Sequence, residues 1–209
     1  ADPTDSLLDA AAMVRPSIWQ LALPSILGNL SYTIVGMVQT KFVGELGAQA
    51  LAALGAGQRI FFAMQAILMA ISAGTTALVA RAWGAGDYDE ASRVTMASLV
   101  LAAVFSFAIA FFGFFLASPV ASVFGLDPVT LELAAQNIRW LSIFNLAFAA
   151  MFVLSAALRA SGDAWSPLWI SAGVNLLNLP LLYVFIFGFA VVPAMGVAGA
   201  AIAAGISFT

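Results

Sequence analysis

Long apolar runs, each able to cross a bilayer as a helix, constrain this chain more than any motif in it. Five cover about Pro16–Phe42, Leu51–Trp83, Arg93–Leu116, Leu131–Arg159 and Trp165–Ala190, and a sixth begins near Val197 and is cut at Thr209. A helix rises about 1.5 Å per residue, so roughly 20 apolar residues cross the hydrocarbon core. The runs do not alternate apolar and polar residues as membrane β-barrel strands do. Only 8% of the 209 residues are charged, against about 25% in soluble domains. A soluble chain this poor in charge could not cover its own surface. The expectation is an all-α integral membrane protein, a bundle of six transmembrane helices with the sixth truncated. Residues 1–15 form a cytoplasmic N-terminal segment and 16–209 the bundle. The first run is too long for a signal peptide and lacks a small-residue cleavage site, so it reads as a span. The chain has neither Cys nor His, which removes disulfides, thiol chemistry and imidazole ligands.

Basic residues set an orientation. Arg15, Arg81, Arg93 and Arg159 fall on one side if the spans alternate, and Lys41 and Arg139 on the other. The positive-inside rule then places the N-terminus in the cytoplasm. Loop residues read as helix punctuation. Gly84 and Gly86 end one helix, and Asp87 with Glu90 forms a capping box for the next. Asp127 caps a helix with Pro128 at its first position, and Ser166 with Pro167 repeats that device. No phosphate loop, dinucleotide fingerprint or metal spacing is present. Small residues at Gly36, Thr40 and Gly44, and at Gly196 and Ala200, are expected to permit close helix approach.

Polar residues recur inside the spans at helical spacing. They are Ser25, Asn29, Tyr32, Gly36 and Gln39 in the first, and Gln58, Gln65, Ser72 and Thr76 in the second. The fourth has Gln136, Arg139, Ser142 and Asn145, and the fifth Ser171, Asn175 and Asn178. We expect each set to share a helical face. An unpaired polar group in hydrocarbon costs several kcal/mol, so these faces are expected to avoid lipid. Hydrogen bonds between helices would satisfy them, and so would a wet cavity. Stripes on four helices favour the cavity. Pro24 and Pro180 lie within spans and remove the helical donors of the Gln20 and Leu176 carbonyls, as in the bent helices that line transporter sites. The candidate pathway residues are Gln39, Asn175, Asn178, Tyr32 and Asn29, with Pro24 and Pro180 bending their helices. Lys41, Arg59 and Arg139 are candidates for attracting an anion, or for snorkelling to the interface with Glu132 as a local partner. No metal site is expected.

The segments LALPSILGNL, FVGELGAQALAALG, SAGTTALVARAWGAGDYDEA and ALRASGDAWSPLWISAGVNLLNLPLLYVFIFG, followed by GVAGAAIA, resemble the multidrug and toxic compound extrusion (MATE) transporters, DinF-like in type. The resemblance covers most of the chain. It implies twelve helices in two lobes of six, of which this chain is the N-terminal lobe and the C-terminal lobe is its partner. With no initial Met and a break inside the sixth run, a fragment of a longer protein is expected. The resemblance further implies secondary active efflux of small amphipathic organic compounds, drugs among them, by alternating access. A Na⁺ or H⁺ gradient would drive it, from the inner membrane of a bacterium or archaeon. No cofactor is implied beyond that coupling ion. Alternatives from the same superfamily are an organic-anion or metabolite exporter and a lipid-linked flippase. A non-transporting membrane fragment is the alternative of another class. An enzyme is not expected, since no interior carboxylate, His or Cys offers a base or nucleophile.

Departures from the family pattern bear on coupling. Where the family carries an aspartate three residues before the Phe of its Phe-Val-Gly pattern, this chain reads QTKFVG, with Gln39 at the acid's position. Asn178 is kept, but Leu182 stands at a later ligand position and Ala204 where the family has a threonine. All ten acids lie in tails, loops or helix ends. Hard cations prefer carboxylate oxygens, so this lobe is not expected to carry the coupling ion in the usual way: coupling in the C-terminal lobe, a cavity that holds an anion, and engineered residues are the three explanations.

Overall fold

A computed structural model describes residues 18–189 and 192–209, and all that follows concerns these. The expected N-terminal segment 1–15, the first-span residue Pro16, and Ala190 at the close of the fifth run lie outside the described residues. Seven helices follow in order: α1 Ile18–Gly44, α2 Ala48–Gly84, α3 Tyr88–Phe115, α4 Ala117–Ser122, α5 Pro128–Ala160, α6 Trp165–Phe187 and α7 Gly196–Phe208. The single β-type pairing among the described residues is an isolated bridge, Phe189 to Val192. Four helices, α2, α3, α5 and α6, have the length and hydropathy to cross a membrane. Helix α1 has the length at 27 residues, and α7 is an apolar helix of 13 residues. The long helices follow the apolar runs that predict them, with α3 starting five residues earlier, at Tyr88, and α6 ending at Phe187, three residues before the run's close.

Helix α5 is the hub. It packs against α2, α3, α4 and α7, while α1 rests on α6 and α6 on α7. Helices α1 and α2 meet only sparsely, which leaves a cleft between the α1–α6 pair and the α2–α5 pair. The core is built from small side chains: Ala53, Ala56, Ala134, Ala135, Ala200 and Ala203 are all buried around Leu54 and Ile138. Lipid tails are as apolar as Leu, so helices here associate by close van der Waals contact rather than by hydrophobic drive. At Gly199 the contact is closest: a methyl group there would overlap the backbone of Phe185 and Ile186 on α6. The expected close approach along Gly36 and Gly44 is not found, since no other helix lies against either. Gly36 faces the cleft instead. Ala200, by contrast, is fully buried against its neighbours.

The helix ends follow the loop chemistry with two differences. Asp87 accepts from the Glu90 amide at 2.9 Å, but the Glu90 carboxylate turns to Arg93 at 3.5 Å rather than back to the cap. Only half of the capping box forms. Asp127 accepts from the amides of Val129 and Thr130 at 3.2 Å and from the Thr130 hydroxyl. These bonds hold the Asp127 carboxyl below the usual carboxylate range, the Thr130 hydroxyl contributing most. At the start of α6 the cap is Asp163, not Ser166: its Oδ1 accepts from Trp165 N at 3.1 Å and Ser166 N at 3.0 Å. A single ionised carboxylate oxygen takes both free amides, a charge-assisted cap.

Candidate functional site

The polar stripe of α1 forms one wall of a hollow. Its residues are spaced four, three, four and three apart, so the stripe drifts only about 40° over four turns at about 100° per residue. Ser25, Asn29 and Tyr32 line one chamber, and Tyr32, Gly36 and Gln39 line the other. The first chamber, about 530 Å³, lies toward the α1–α2 loop and includes Gln58, Asn137 and Asn178. The second, about 480 Å³, lies toward the α5–α6 loop and includes Pro24, Gln65, Ser155, Arg159 and Ser171. Both are within the range of organic-ligand pockets, roughly 300–1,000 Å³.

The chambers share Tyr32, Phe61, Phe62, Phe148, Asn175 and Phe208. These residues form a waist. Phe148 sits edge-on to Phe61 at 5.4 Å and to Phe208 at 5.0 Å, an arrangement that suits the ring quadrupoles. Asn175, 9% exposed, donates from Nδ2 to Ser31 Oγ at 2.9 Å and ties α6 to α1 there. An aromatic cluster of Phe42, Tyr183 and Phe187 clamps the same two helices nearer the α1–α2 loop. The two chambers therefore lie end to end along the cleft, one toward the α1–α2 loop and one toward the α5–α6 loop.

The other stripes divide. On α6, Ser171, Asn175 and Asn178 all reach the lumen, and Asn178 donates to Ser207 Oγ of α7 at 3.2 Å. On α2, Gln58 and Gln65 line it, while Ser72 is buried and accepts through its backbone from Thr76. The α5 set does not share a face. Residues three apart step back about 60° each time, so the three steps from Gln136 to Asn145 cover roughly half a turn of rotation. Gln136 and Arg139 accordingly turn to Glu132, at 3.2 and 3.6 Å. Ser142 and Asn145 are buried in a seam, with Asn145 Oδ1 accepting from Gln65 Nε2 at 3.3 Å. The polar α5 residue that lines the first chamber is Asn137, absent from the expected set. It is 1% exposed. Its Nδ2 donates to the Val197 carbonyl at 3.0 Å, and its Oδ1 has no partner among the described residues. Space for it exists because Gly57 stands opposite, where a methyl group would overlap Oδ1.

None of the three cations expected to attract an anion lines either chamber. Lys41 lies two residues past Gln39, about 200° around α1 and thus on its outer face. Arg59 is exposed one residue from the lumen-facing Gln58. Arg139 is held by Glu132 and by Ser118 Oγ at 3.1 Å, the local pairing named as its alternative. The cation that does line the lumen is Arg159, read from sequence only as an orientation signal. Pro24 is buried at the chamber wall, whereas Pro180 is exposed and lines neither chamber. Gln39, Asn178 and Ala204 meet around the first chamber, but Leu182 is fully buried in the apolar core. Among the described residues no three acids converge.

A family model described as MatE matches residues 24–184, most of the chain. The chain belongs to the MatE family. It is 32% identical over 191 residues to a protein of Thermotoga maritima described as a probable multidrug resistance protein NorM, covering 91% of this chain and 41% of that protein. It is 25% identical over 193 residues to a Shewanella oneidensis protein described as an FAD transporter, covering 92% of this chain and 43% of that protein. Among solved structures, a MOP superfamily transporter from Pyrococcus furiosus matches with a TM-score of 0.84 at 26% identity, over 90% of this chain and 41% of that one. The bent form of the Vibrio cholerae MATE transporter VcmN matches with a TM-score of 0.82 at 28% identity, over 91% and 42%. The chain thus spans about two fifths of the length of these MatE relatives and has the fold of a MATE N-terminal lobe.

Proposed function

We propose that this chain is the N-terminal lobe of a secondary active transporter that exports small amphipathic organic compounds by alternating access. The observation that carries the reading is the lumen. Polar stripes on α1, α2 and α6 face aromatic rings across two joined chambers of drug-sized volume. Such a mixture binds molecules with an apolar body and a few polar groups. The descriptions of the relatives, multidrug resistance protein and FAD transporter, support transport of organic solutes. A C-terminal lobe would complete the cavity, and rocking of the lobes would open it to each side in turn. The membrane is the inner membrane of a bacterium or archaeon, with the N-terminus in the cytoplasm. A Na⁺ or H⁺ gradient supplies the energy. With Gln39, Leu182 and Ala204 at the acid, Asp-or-Asn and threonine positions of the family pattern, the coupling ion is held outside this lobe.

The test is flux. The complete transporter carrying this lobe is reconstituted in vesicles with a Na⁺ or H⁺ gradient imposed. Gradient-dependent movement of at least one amphipathic dye, cationic, neutral or anionic, is the expected result. A complete transporter that moves none of them under either gradient contradicts the proposal.

A further inference from the structure

We infer that the chamber between α1, α5 and the start of α6 is a binding site for an amphipathic anion, with the Arg159 guanidinium taking its acidic group. This deepens the transport reading and rests on it, because it specifies the charge of the cargo. Arg159 is the one Lys, Arg, Asp or Glu among the residues lining either chamber. Its side chain makes no hydrogen bond or ion pair among the described residues. The nearest acid in sequence, Asp163, is engaged: its Oδ1 accepts from the Trp165 and Ser166 amides. Among the described residues, the chamber therefore carries a positive charge with no fixed counter-ion. A guanidinium presents five donors in a planar fork that matches a carboxylate or phosphate.

The rest of the chamber supplies the other half of the ligand. Ser155 is one turn before Arg159 on the same face of α5, and Ser171 lines the wall opposite on α6. Their hydroxyls add neutral donors near the charge. Beyond them the wall becomes apolar, with Met69, Met151 and Phe152 leading to the rings of the waist. A molecule with an acidic head at Arg159 and an apolar or aromatic body toward Phe62 and Phe148 satisfies both ends. A cationic head would meet the guanidinium with no acid to offset it. The acidic head could belong to a soluble organic acid or to an anionic lipid, since the chemistry recognised is the same.

The test uses the complete transporter in detergent and three fluorescent probes that share a dansyl-alkyl body: a carboxylate, its uncharged amide and a trimethylammonium. The carboxylate is expected to bind about tenfold or more tightly than the amide, the scale of one charge-assisted hydrogen bond pair. Arg159→Gln should bring the two to similar affinity, and Arg159→Lys should retain most of the preference. Lys41→Gln, off the lumen, should leave it unchanged. Retained amide affinity shows that a variant is folded. If Arg159→Gln does not fold, Ser155→Asp serves instead, and the carboxylate it places one turn away should abolish the preference. A preference that survives either variant, or a wild type that favours the ammonium or does not discriminate, overturns the inference. Repeating the titration in nanodiscs with and without phosphatidylglycerol separates the sources. Competition by that lipid assigns the site to headgroups, and its absence to soluble acids. Gradient-driven flux without anion preference sinks the inference alone, whereas anion preference without flux sinks the transport reading.

Discussion

Asn137 shows how much one side chain does here. Its amide nitrogen ties α5 to the start of α7 through the Val197 carbonyl, and its oxygen is buried against Gly57 of α2. Gly57→Ala would push a methyl group into that oxygen. We expect this change to lower stability by about 1–3 kcal/mol, the range for overpacking a filled site. The melting temperature in detergent measures it, and Gly57→Ala with Asn137→Ala together should recover part of the loss, since the clash is then removed. Gln39 makes the second residue-scale prediction. It stands at the chamber wall without an acid beside it. Gln39→Asp would place the lumen's first carboxylate there, so the variant should gain a stabilisation by Na⁺ that the wild-type lobe does not show. Thermal shift with Na⁺ against a large organic cation checks this. A wild type already stabilised by Na⁺, with Gln39→Ala abolishing the effect, would show that the lobe holds the ion after all.

Helix ends make a pH prediction at the scale of the element. The Asp127 carboxyl is held below its ordinary value by Thr130, through the hydroxyl first and then the amide. A group whose folded value is depressed stabilises the fold above its unfolded value, near 3.9, and loses that contribution as pH falls through the lower folded value. The wild type should therefore melt above Asp127→Asn at neutral pH, and the gap should close as pH drops below about 4. Thr130→Val should narrow the neutral-pH gap, because it removes the largest of the bonds. Melting curves across pH for the three proteins decide it. The same elements mark what sequence could reveal. Apolar runs show the long helices directly, since lipid leaves no other way to satisfy the backbone. The α1 stripe is legible because its alternating four-and-three spacing follows the helix closely. The α5 stripe misleads, because uniform three-residue steps rotate around the axis, and Asn137 hides one residue from Gln136. Arg159 hides differently: a basic residue at a span end reads as an orientation signal, and only the chamber's lining shows that this exposed side chain borders it.

At the scale of the molecule, one physical arrangement underlies the account: helices that must avoid lipid with their amide and hydroxyl faces turn them toward a shared hollow. The absence of cysteine makes this open to a direct test. Single cysteines are placed at Asn29, Gln39, Gln65 and Asn178, which line the chambers, and at Ile34 and Leu176, which are exposed but line neither. The protein is the complete transporter, otherwise freed of cysteine, in native membranes. A thiol reacts as its thiolate, which forms only where water reaches it. The measurement is the labelling rate with a membrane-impermeant, water-soluble maleimide applied from both sides. The account predicts that the four lumen positions react at least about tenfold faster than Ile34 and Leu176, the contrast expected between water-filled and lipid-facing sites. Lumen positions that label as slowly as the lipid-facing pair would mean a dry seam in place of the hollow, and would contradict it.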